Sequence, residues 1–428
     1  MVPVSARFRR PLVLVTGAAL LLLLGLIYAY SVLLAPLKVA FGWDVSGMTL
    51  VFALSIISFT VGCLVSGELE RRSLDRPGLL LGAALLLAGF VGTSLAGGAT
   101  SLLSTAIFYG VVSSLGIGVV YNIVIPTITA WFPDRPGMAQ GVALMGFGCG
   151  GFVLGPVMTQ LYAMLDWRLV LVGAGALFAA AVMLAALVVR PPTTREGAVL
   201  PGLAPGPDRG GDGSAGAERS AGLAEMLHDK SFYLLYAFLF FMGSVGMGVT
   251  GIGRELPLSL GADDMTAAFV IGFVNIGSGI GRLCGGAALD RLGRGPAMLA
   301  TAALGVVGPL SLVTSLLLTS LPLQTAACLV TGVGWGAAVV SMPFVTRAEW
   351  GQSNMAENMA VVNTYSIFGS VVGSWGAGLL STALGSFVPV LSIMCIMGLA
   401  SVFVAARLRA GAATNVPSRS RTGRTTVE

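Results

Sequence analysis

Long apolar stretches separated by short polar segments occupy almost the whole chain. Each stretch contains about 20 or more mostly apolar residues, which is the length that a helix needs to cross the roughly 30 Å hydrocarbon core of a bilayer. The pattern therefore predicts an all-α membrane protein with twelve transmembrane helices. The predicted spans are residues 11–34, 46–69, 78–99, 102–125, 137–165, 169–189, 232–253, 267–289, 296–319, 323–344, 359–382 and 387–406.

The longest polar interruption divides the twelve spans into two groups of six. Residues 191–230 are rich in Pro, Gly, Ala and charged residues, which is typical of a flexible linker, and 221–229 at its end has the pattern of a short amphipathic helix. We expect a six-helix half at 1–190, a second at 231–408, and a disordered tail at 409–428. Two such halves suggest parallel internal repeats with a binding site between them near the midplane of the membrane.

Composition and charge support a membrane protein and indicate its orientation. The chain is 55% hydrophobic and only 10% charged, with a mean hydropathy of +0.89, whereas soluble domains carry about 25% charged residues. On one side of the predicted membrane the only basic residues are Lys38, Arg168 and Arg254, and the other basic residues outside the spans fall on the opposite side. The positive-inside rule then predicts two cytoplasmic termini in a bacterial inner membrane. We therefore expect lipids, and not nucleic acid, as the partners of the basic segments.

The residues that usually build catalytic or metal sites are scarce. The five cysteines are spread among apolar spans, and the one histidine, His228, lies in the linker. This distribution predicts small packing cysteines, with no disulfide framework and no metal site. We expect no catalytic residue, metal or cofactor.

Arg282 is the one charged residue in the middle of a predicted span. A guanidinium at that depth costs at least a few kcal/mol unless it faces a wet cavity or a partner. No Asp or Glu lies in the middle of any predicted span. We therefore expect Arg282 to bind an anion that enters and leaves, which means a small organic anion as substrate.

Other polar residues within apolar spans are candidates for the same site. Asn275 and Ser278 precede Arg282 by seven and four residues, which places them on nearly the same face of a helix. Aromatic rings and amides in other spans could contact the substrate, but each could instead pack or bridge helices, and the sequence leaves both interpretations open. These further candidates are Tyr28, Tyr121, Asn122, Trp335, Asn363 and Tyr365.

The loop after the eighth span carries a recognisable motif. Residues 286–294 read G-A-A-L-D-R-L-G-R, which resembles the G-x-x-x-D-R-x-G-R signature of the major facilitator superfamily. The resemblance implies a gating role for Asp290, Arg291 and Arg294, which would pair across the cytoplasmic face and hold one conformation closed. Ordinary positive-inside anchoring is the alternative.

Two longer segments, 28–44 and 121–151, together with Trp167 and Arg168, resemble the oxalate/formate antiporter family, the prokaryotic relatives of monocarboxylate transporters. The resemblance implies alternating access by a functional monomer that moves small carboxylates, by antiport or by proton-linked symport. It also implies that Arg282 binds the carboxylate, because it matches the arginine of the family's eighth span.

The chain departs from its apparent relatives at two positions. Tyr365 or its neighbour stands where oxalate carriers have a second cation, a lysine, and Ser278 stands where proton-linked carriers of animals have an Asp. One cation suits one carboxylate, so the expected substrate is a monocarboxylate such as lactate, pyruvate, formate or glycolate. An oxalate or other dicarboxylate antiporter and a transporter-like carboxylate sensor remain as alternatives, and proton coupling stays open.

Overall fold

The computed structural model describes residues 4–72, 74–132, 136–192, 221–351 and 355–414. Within them it contains twelve helical spans that are long and apolar enough to cross a membrane, as the sequence predicts, and no strand. The fold class is therefore confirmed. The spans are α1 (Phe8–Phe41), α2 (Val45–Leu69), α3 (Asp75–Ser94), α4 (Gly98–Ala130), α5 (Gly141–Met164), α6 (Trp167–Val188), α7 (Lys230–Ile252), α8 (Asp264–Leu292), α9 (Arg294–Leu317), α10 (Leu321–Trp350), α11 (Val361–Leu384) and α12 (Val388–Leu408).

Several helices extend beyond the bounds expected from hydrophobicity. After Leu34 the chain continues as helix to Phe41, because Pro36 falls in the first turn of the new helical segment, where it needs no hydrogen-bond donor. The last helix continues to Thr414, six residues into the segment expected to be disordered. A short helix, Leu223–His228, forms within the predicted amphipathic segment. Most of the expected linker, 193–220, and the end of the tail, 415–428, lie outside the described residues.

Three spans are interrupted by irregular helical turns. α1 contains a 3₁₀ segment at Gly25–Ala29, and α4 contains a π-helical segment at Ala106–Ser113. α11 breaks at Thr364 and has a π-helical segment at Ser370–Trp375. Such irregular backbone is tolerated at membrane depth only where protein or a water-filled cavity surrounds it, and it is frequent at functional sites.

Glycines fix how α8 packs on α10. A Cβ added at Gly277 of α8 would collide with the backbone of α10 at Leu329, and one added at Gly332 or Gly336 of α10 would collide with the backbone of α8. Close contact between small residues is a general way to join helices in lipid. One side of α8 packs against α10. The side that carries Arg282 therefore faces α5, where the guanidinium makes its hydrogen bond.

We predict that Gly277→Ala destabilises the protein. The added methyl group overpacks the contact between α8 and α10, at a cost of about 1–3 kcal/mol. Gly286→Ala is the matched control on the same helix, because its Cβ would meet Val340 at an ordinary 3.6 Å. In a helix interior Ala is favoured over Gly by about 0.5–1 kcal/mol, so the control should be neutral or stabilising. Thermal unfolding in detergent measures both, and equal melting temperatures would contradict the proposed contact.

Candidate functional site

The first six spans meet the last six along two seams, α5 against α8 and α2 against α11. The end of the bundle that carries Lys38 and Glu255 is called here the distal face, and the end that carries Arg10 and Arg294 the terminal face. The distal face is closed between the two groups of helices. Lys38 Nζ lies 2.6 Å from Glu255 Oε2, and the hydroxyl of Tyr30 donates a hydrogen bond to the carbonyl of Gly251.

Polar contacts between α2 and α11 continue this closure toward the middle of the bundle. The Ser374 hydroxyl donates to the carbonyl of Thr49 at 3.4 Å. Deeper in the bundle, the hydroxyls of Thr60 and Ser366 lie 3.0 Å apart. A Cβ added at Gly378 would collide with Thr49, so the two helices are in close contact near the distal face. Side chains on this seam therefore separate the centre of the bundle from the distal face.

Arg282 lies on the other seam, between α8 and α5. Its side chain is 6% exposed, and Nη1 donates to the backbone carbonyl of Leu144 at 2.8 Å. A Cβ added at Gly148 would lie 3.5 Å from the same nitrogen, so the guanidinium lies against this glycine. The Nε atom is buried and makes no hydrogen bond, and no carboxylate pairs with the group among the described residues.

Aromatic side chains from five spans gather near the guanidinium. The phenol of Tyr28 lies next to Arg282, and its ring stands edge-on to Phe147 and to Trp335, each at 5.3 Å between centroids. Tyr121 packs against Phe147 at 4.7 Å. The phenols of Tyr121 and Tyr365 lie within electrostatic range of Arg282. The structure thus gathers Tyr28, Tyr121, Phe147 and Trp335 beside the arginine through ring contacts, with Tyr365 in the same region.

Several buried polar atoms near Arg282 have no partner. Both side-chain polar atoms of Asn275, the hydroxyl of Ser278 and Nε1 of Trp335 make no hydrogen bond among the described residues, although each residue is at most 2% exposed. Leaving a buried polar group unsatisfied costs about 1–3 kcal/mol. Most of these atoms are donors, as is the Nε of Arg282. The set would therefore be satisfied by a small ligand that offers several acceptor oxygens.

Two predicted site residues are placed differently. The amide nitrogen of Asn122 donates to the hydroxyl of Ser66 at 2.8 Å and to the carbonyl of Cys63 at 3.2 Å, so it ties α4 to α2. Asn363 is half-buried at the break in α11, and no described contact joins its side chain to Arg282. Substrate contact by these two residues stays a prediction.

Two of the predicted aromatic candidates, Trp335 and Tyr365, pack against the same helix, α7. Trp335 packs on Gly246 and contacts Tyr28, whereas Tyr365 packs on Gly243, one turn away along α7. The two rings thus follow each other along α7, and each uses the space above a glycine.

The gating motif is only partly paired. Asp290 and Arg291 are exposed in the last turn of α8 and form no ion pair within the described part of the chain, so the expected pairing through Asp290 is not seen. Arg294, at the start of α9, instead forms an ion pair with Glu349 near the end of α10. Among the described residues Asp290 is unpaired because the last turn of α8 projects into solvent. Arg294 can reach Glu349 because α9 begins beside the end of α10.

Sequence reasoning missed the contribution of α5. Phe147 contacts both Tyr28 and Tyr121, Gly151 leaves room for the side chain of Asn275, and Gly148 lies against the guanidinium of Arg282. The available signal was the spacing of these glycines, which are three residues apart and so lie on one helix face. On its own that spacing indicates only close helix packing.

Comparison with known proteins gives a consistent picture. The family model of the Major Facilitator Superfamily matches residues 17–374. The chain is 23% identical over 379 residues to the oxalate:formate antiporter of Oxalobacter formigenes, with 85% of each chain covered. It is 22% identical over 340 residues to the uncharacterized MFS-type transporter YhjX of Escherichia coli (strain K12), which covers 79% of this chain and 80% of that one. Monocarboxylate transporter 12-B of Danio rerio is 25% identical over 361 residues, covering 78% of this chain and 72% of its own length.

One similar solved structure is that of a bacterial homolog to the human lysosomal transporter Spinster, in an inward-facing and unoccupied conformation. Its TM-score is 0.65, with 95% of this chain and 96% of that chain covered. At 17% sequence identity, this similarity shows a shared fold only.

We predict that Glu255→Gln loosens the distal closure. The Lys38–Glu255 pair is partly buried, with side chains 22% and 18% exposed, so its loss should cost about 1 kcal/mol and shift the closed–open equilibrium about fivefold. In protein with its native cysteines replaced, Ser374→Cys reports opening through its rate of labelling by a thiol reagent. Glu68→Gln is the control, since Glu68 lies at the opposite end of α2 from the distal closure and pairs there with Arg72 at 2.8 Å. Equal labelling with and without Glu255→Gln would argue against the gate.

Proposed function

Since this chain belongs to the major facilitator superfamily, whose members are transporters and not enzymes, we propose that it is a secondary transporter of a small monocarboxylate. Substrate would cross by alternating access between the two six-helix halves. The observation that carries the proposal is the buried guanidinium of Arg282, which lies between the halves without a carboxylate partner among the described residues. The names of the relatives, an oxalate:formate antiporter and a monocarboxylate transporter, support the carboxylate class.

The guanidinium is arranged for this role. Its Nη1 is occupied by the carbonyl of Leu144, whereas the edge that carries Nε has an unused donor. A carboxylate approaching that edge can accept two parallel charge-assisted hydrogen bonds, which only arginine offers in fixed geometry. In the proposed cycle the carbonyl of Leu144 on α5 holds the arginine while the site is empty, and substrate adds the negative charge that neutralises it.

The surroundings of Arg282 favour a single negative charge on the substrate. Tyr365 and Trp335, which lie near Arg282, are uncharged and so cannot balance a second carboxylate. The neutral phenols of Tyr28 and Tyr121 can donate hydrogen bonds but cannot balance charge. We therefore favour a monocarboxylate such as lactate, pyruvate, formate or glycolate over oxalate, which is the alternative substrate.

Orientation and coupling complete the proposal. The positive-inside rule supports a cytoplasmic position in a bacterial cell for the terminal face and both termini, and an outer position for the closed distal face. Within the described spans no carboxylate approaches Arg282, so protons would travel with the substrate, or a second anion would return in exchange. The transporter is proposed to act as a monomer in contact with membrane lipids.

We predict that Arg282→Ala abolishes carboxylate uptake in proteoliposomes, by at least a hundredfold, while the protein still folds. The reason is the loss of the buried cation that is proposed to pair with the substrate. Arg282→Lys should recover little, because an ammonium cannot form the two-pronged pair. Arg72→Ala is the control and should transport normally, because Arg72 is an exposed arginine whose ion pair joins neighbouring turns. Wild-type uptake by Arg282→Ala, in protein with an unchanged melting temperature, would remove the basis of the proposal.

A second set of measurements separates the alternatives. Uptake of lactate, pyruvate, formate and oxalate is compared with and without an imposed pH gradient, and then with substrate preloaded inside the vesicles. Acceleration by an inward proton gradient would indicate symport, and acceleration by internal substrate alone would indicate exchange. Preferred uptake of oxalate would select the dicarboxylate alternative. Binding without any uptake or counterflow would indicate a sensor.

A further inference from the structure

Asn275 is a buried amide beside Arg282 with no partner of its own. It is 1% exposed, and neither its oxygen nor its nitrogen makes a hydrogen bond among the described residues. It precedes Arg282 by seven residues on α8, so the two side chains lie within about 20° of the same helix face. An uncompensated amide in this position is costly unless a bound ligand or an ordered water satisfies it.

The glycines of α5 that Arg282 and Asn275 contact show how deep each of these two side chains lies in the bundle. The Arg282 guanidinium lies against Gly148, and the Asn275 amide lies against Gly151, where an added Cβ would collide with the amide nitrogen. Gly148 and Gly151 are three residues apart, which corresponds to about 4.5 Å along a helix. The amide is therefore about one turn further toward the distal face than the guanidinium, on the same seam between the halves.

We propose that Asn275 is a specificity-determining residue that hydrogen-bonds a second, uncharged oxygen of the substrate, on the carbon next to the carboxylate. This inference rests on the proposed function, because it takes the carboxylate to be bound by Arg282. The guanidinium and the amide are separated by about one helical turn. This separation suits a molecule of two or three carbons whose carboxylate faces the guanidinium and whose neighbouring oxygen faces the amide.

The chemistry of the amide defines the substrate class. An amide both donates and accepts hydrogen bonds, so it can pair with a hydroxyl or with a keto oxygen. It carries no charge, so it cannot compensate a second carboxylate at this depth. The structure thus points to 2-hydroxy and 2-oxo monocarboxylates, in preference both to plain alkanoates and to dicarboxylates.

The test compares acids that differ only in the second oxygen. Proteoliposomes take up a labelled monocarboxylate, and competition is measured for lactate against propionate and for glycolate against acetate. In the wild type the hydroxy acid should compete about tenfold better, which is the upper end of the contribution of one neutral hydrogen bond. In Asn275→Leu that ratio should fall to about one while propionate competes as before.

Gln324→Leu is the matched control. Gln324 is also a fully buried amide, and neither of its polar atoms has a partner among the described residues. It lies near the start of α10, toward the distal face. Its replacement should leave the tenfold ratio intact. Gly151→Ala is a second test variant. It keeps the asparagine but displaces its amide, so it should also lower the ratio of hydroxy acid to plain acid competition.

The outcomes distinguish this inference from the proposed function. Equal competition by lactate and propionate in the wild type, or an unchanged ratio in Asn275→Leu, would overturn the role of Asn275 and leave Arg282 as the carboxylate site. If no carboxylate competes and Arg282→Ala has no effect, the proposed function fails and the inference fails with it. If Asn275→Leu is too unstable to reconstitute, as judged by its melting temperature, Asn275→Ala replaces it with the same expected loss of ratio.

Discussion

The structure depends on one unbalanced charge, the guanidinium of Arg282, buried between two groups of six helices. Within lipid such a group must find compensation, and the described residues provide only the carbonyl of Leu144 for Nη1 and the phenol of Tyr28 beside it. A backbone carbonyl offers a partial charge and not a full one. Because the protein does not fully compensate this positive charge, an exchangeable anion is the favoured ligand of the site.

The rest of the bundle presents that charge at a seam where two bodies can move. Glycine contacts fasten α8 to α10 within one half, so the polar face of α8 is turned toward α5 of the other half. A ligand bound there touches both halves and can bias the equilibrium between their arrangements, because it interacts differently with each. In the conformation described, Lys38 and Glu255 join the halves at the distal face, so that face has to separate before substrate can enter from it.

Prediction from sequence succeeded for features that depend on a short segment alone, such as the length of an apolar helix or the residues that share one of its faces. Twelve apolar stretches gave twelve spans, and Arg282, Asn275 and Ser278 proved to be buried, because helical periodicity fixes which residues share a face. It did not reveal those contacts whose partners come from distant parts of the chain. Asn122 has the same chemistry as Asn275, yet its nitrogen is bound by α2. Similarly, Asp290 matches a motif while the ion pair forms through Arg294.

The sequence by itself determined that this chain is a multi-pass helical membrane protein with one cation at membrane depth, because the length and hydrophobicity of each segment are local properties. Only the tertiary structure decided that Phe147, Gly148 and Gly151 of α5 shape the surroundings of that cation, and that Asn275 lacks a partner. The physical reason is that a buried polar atom is satisfied or orphaned by whichever helix packs against it. That packing depends on surfaces more than a hundred residues apart in the chain.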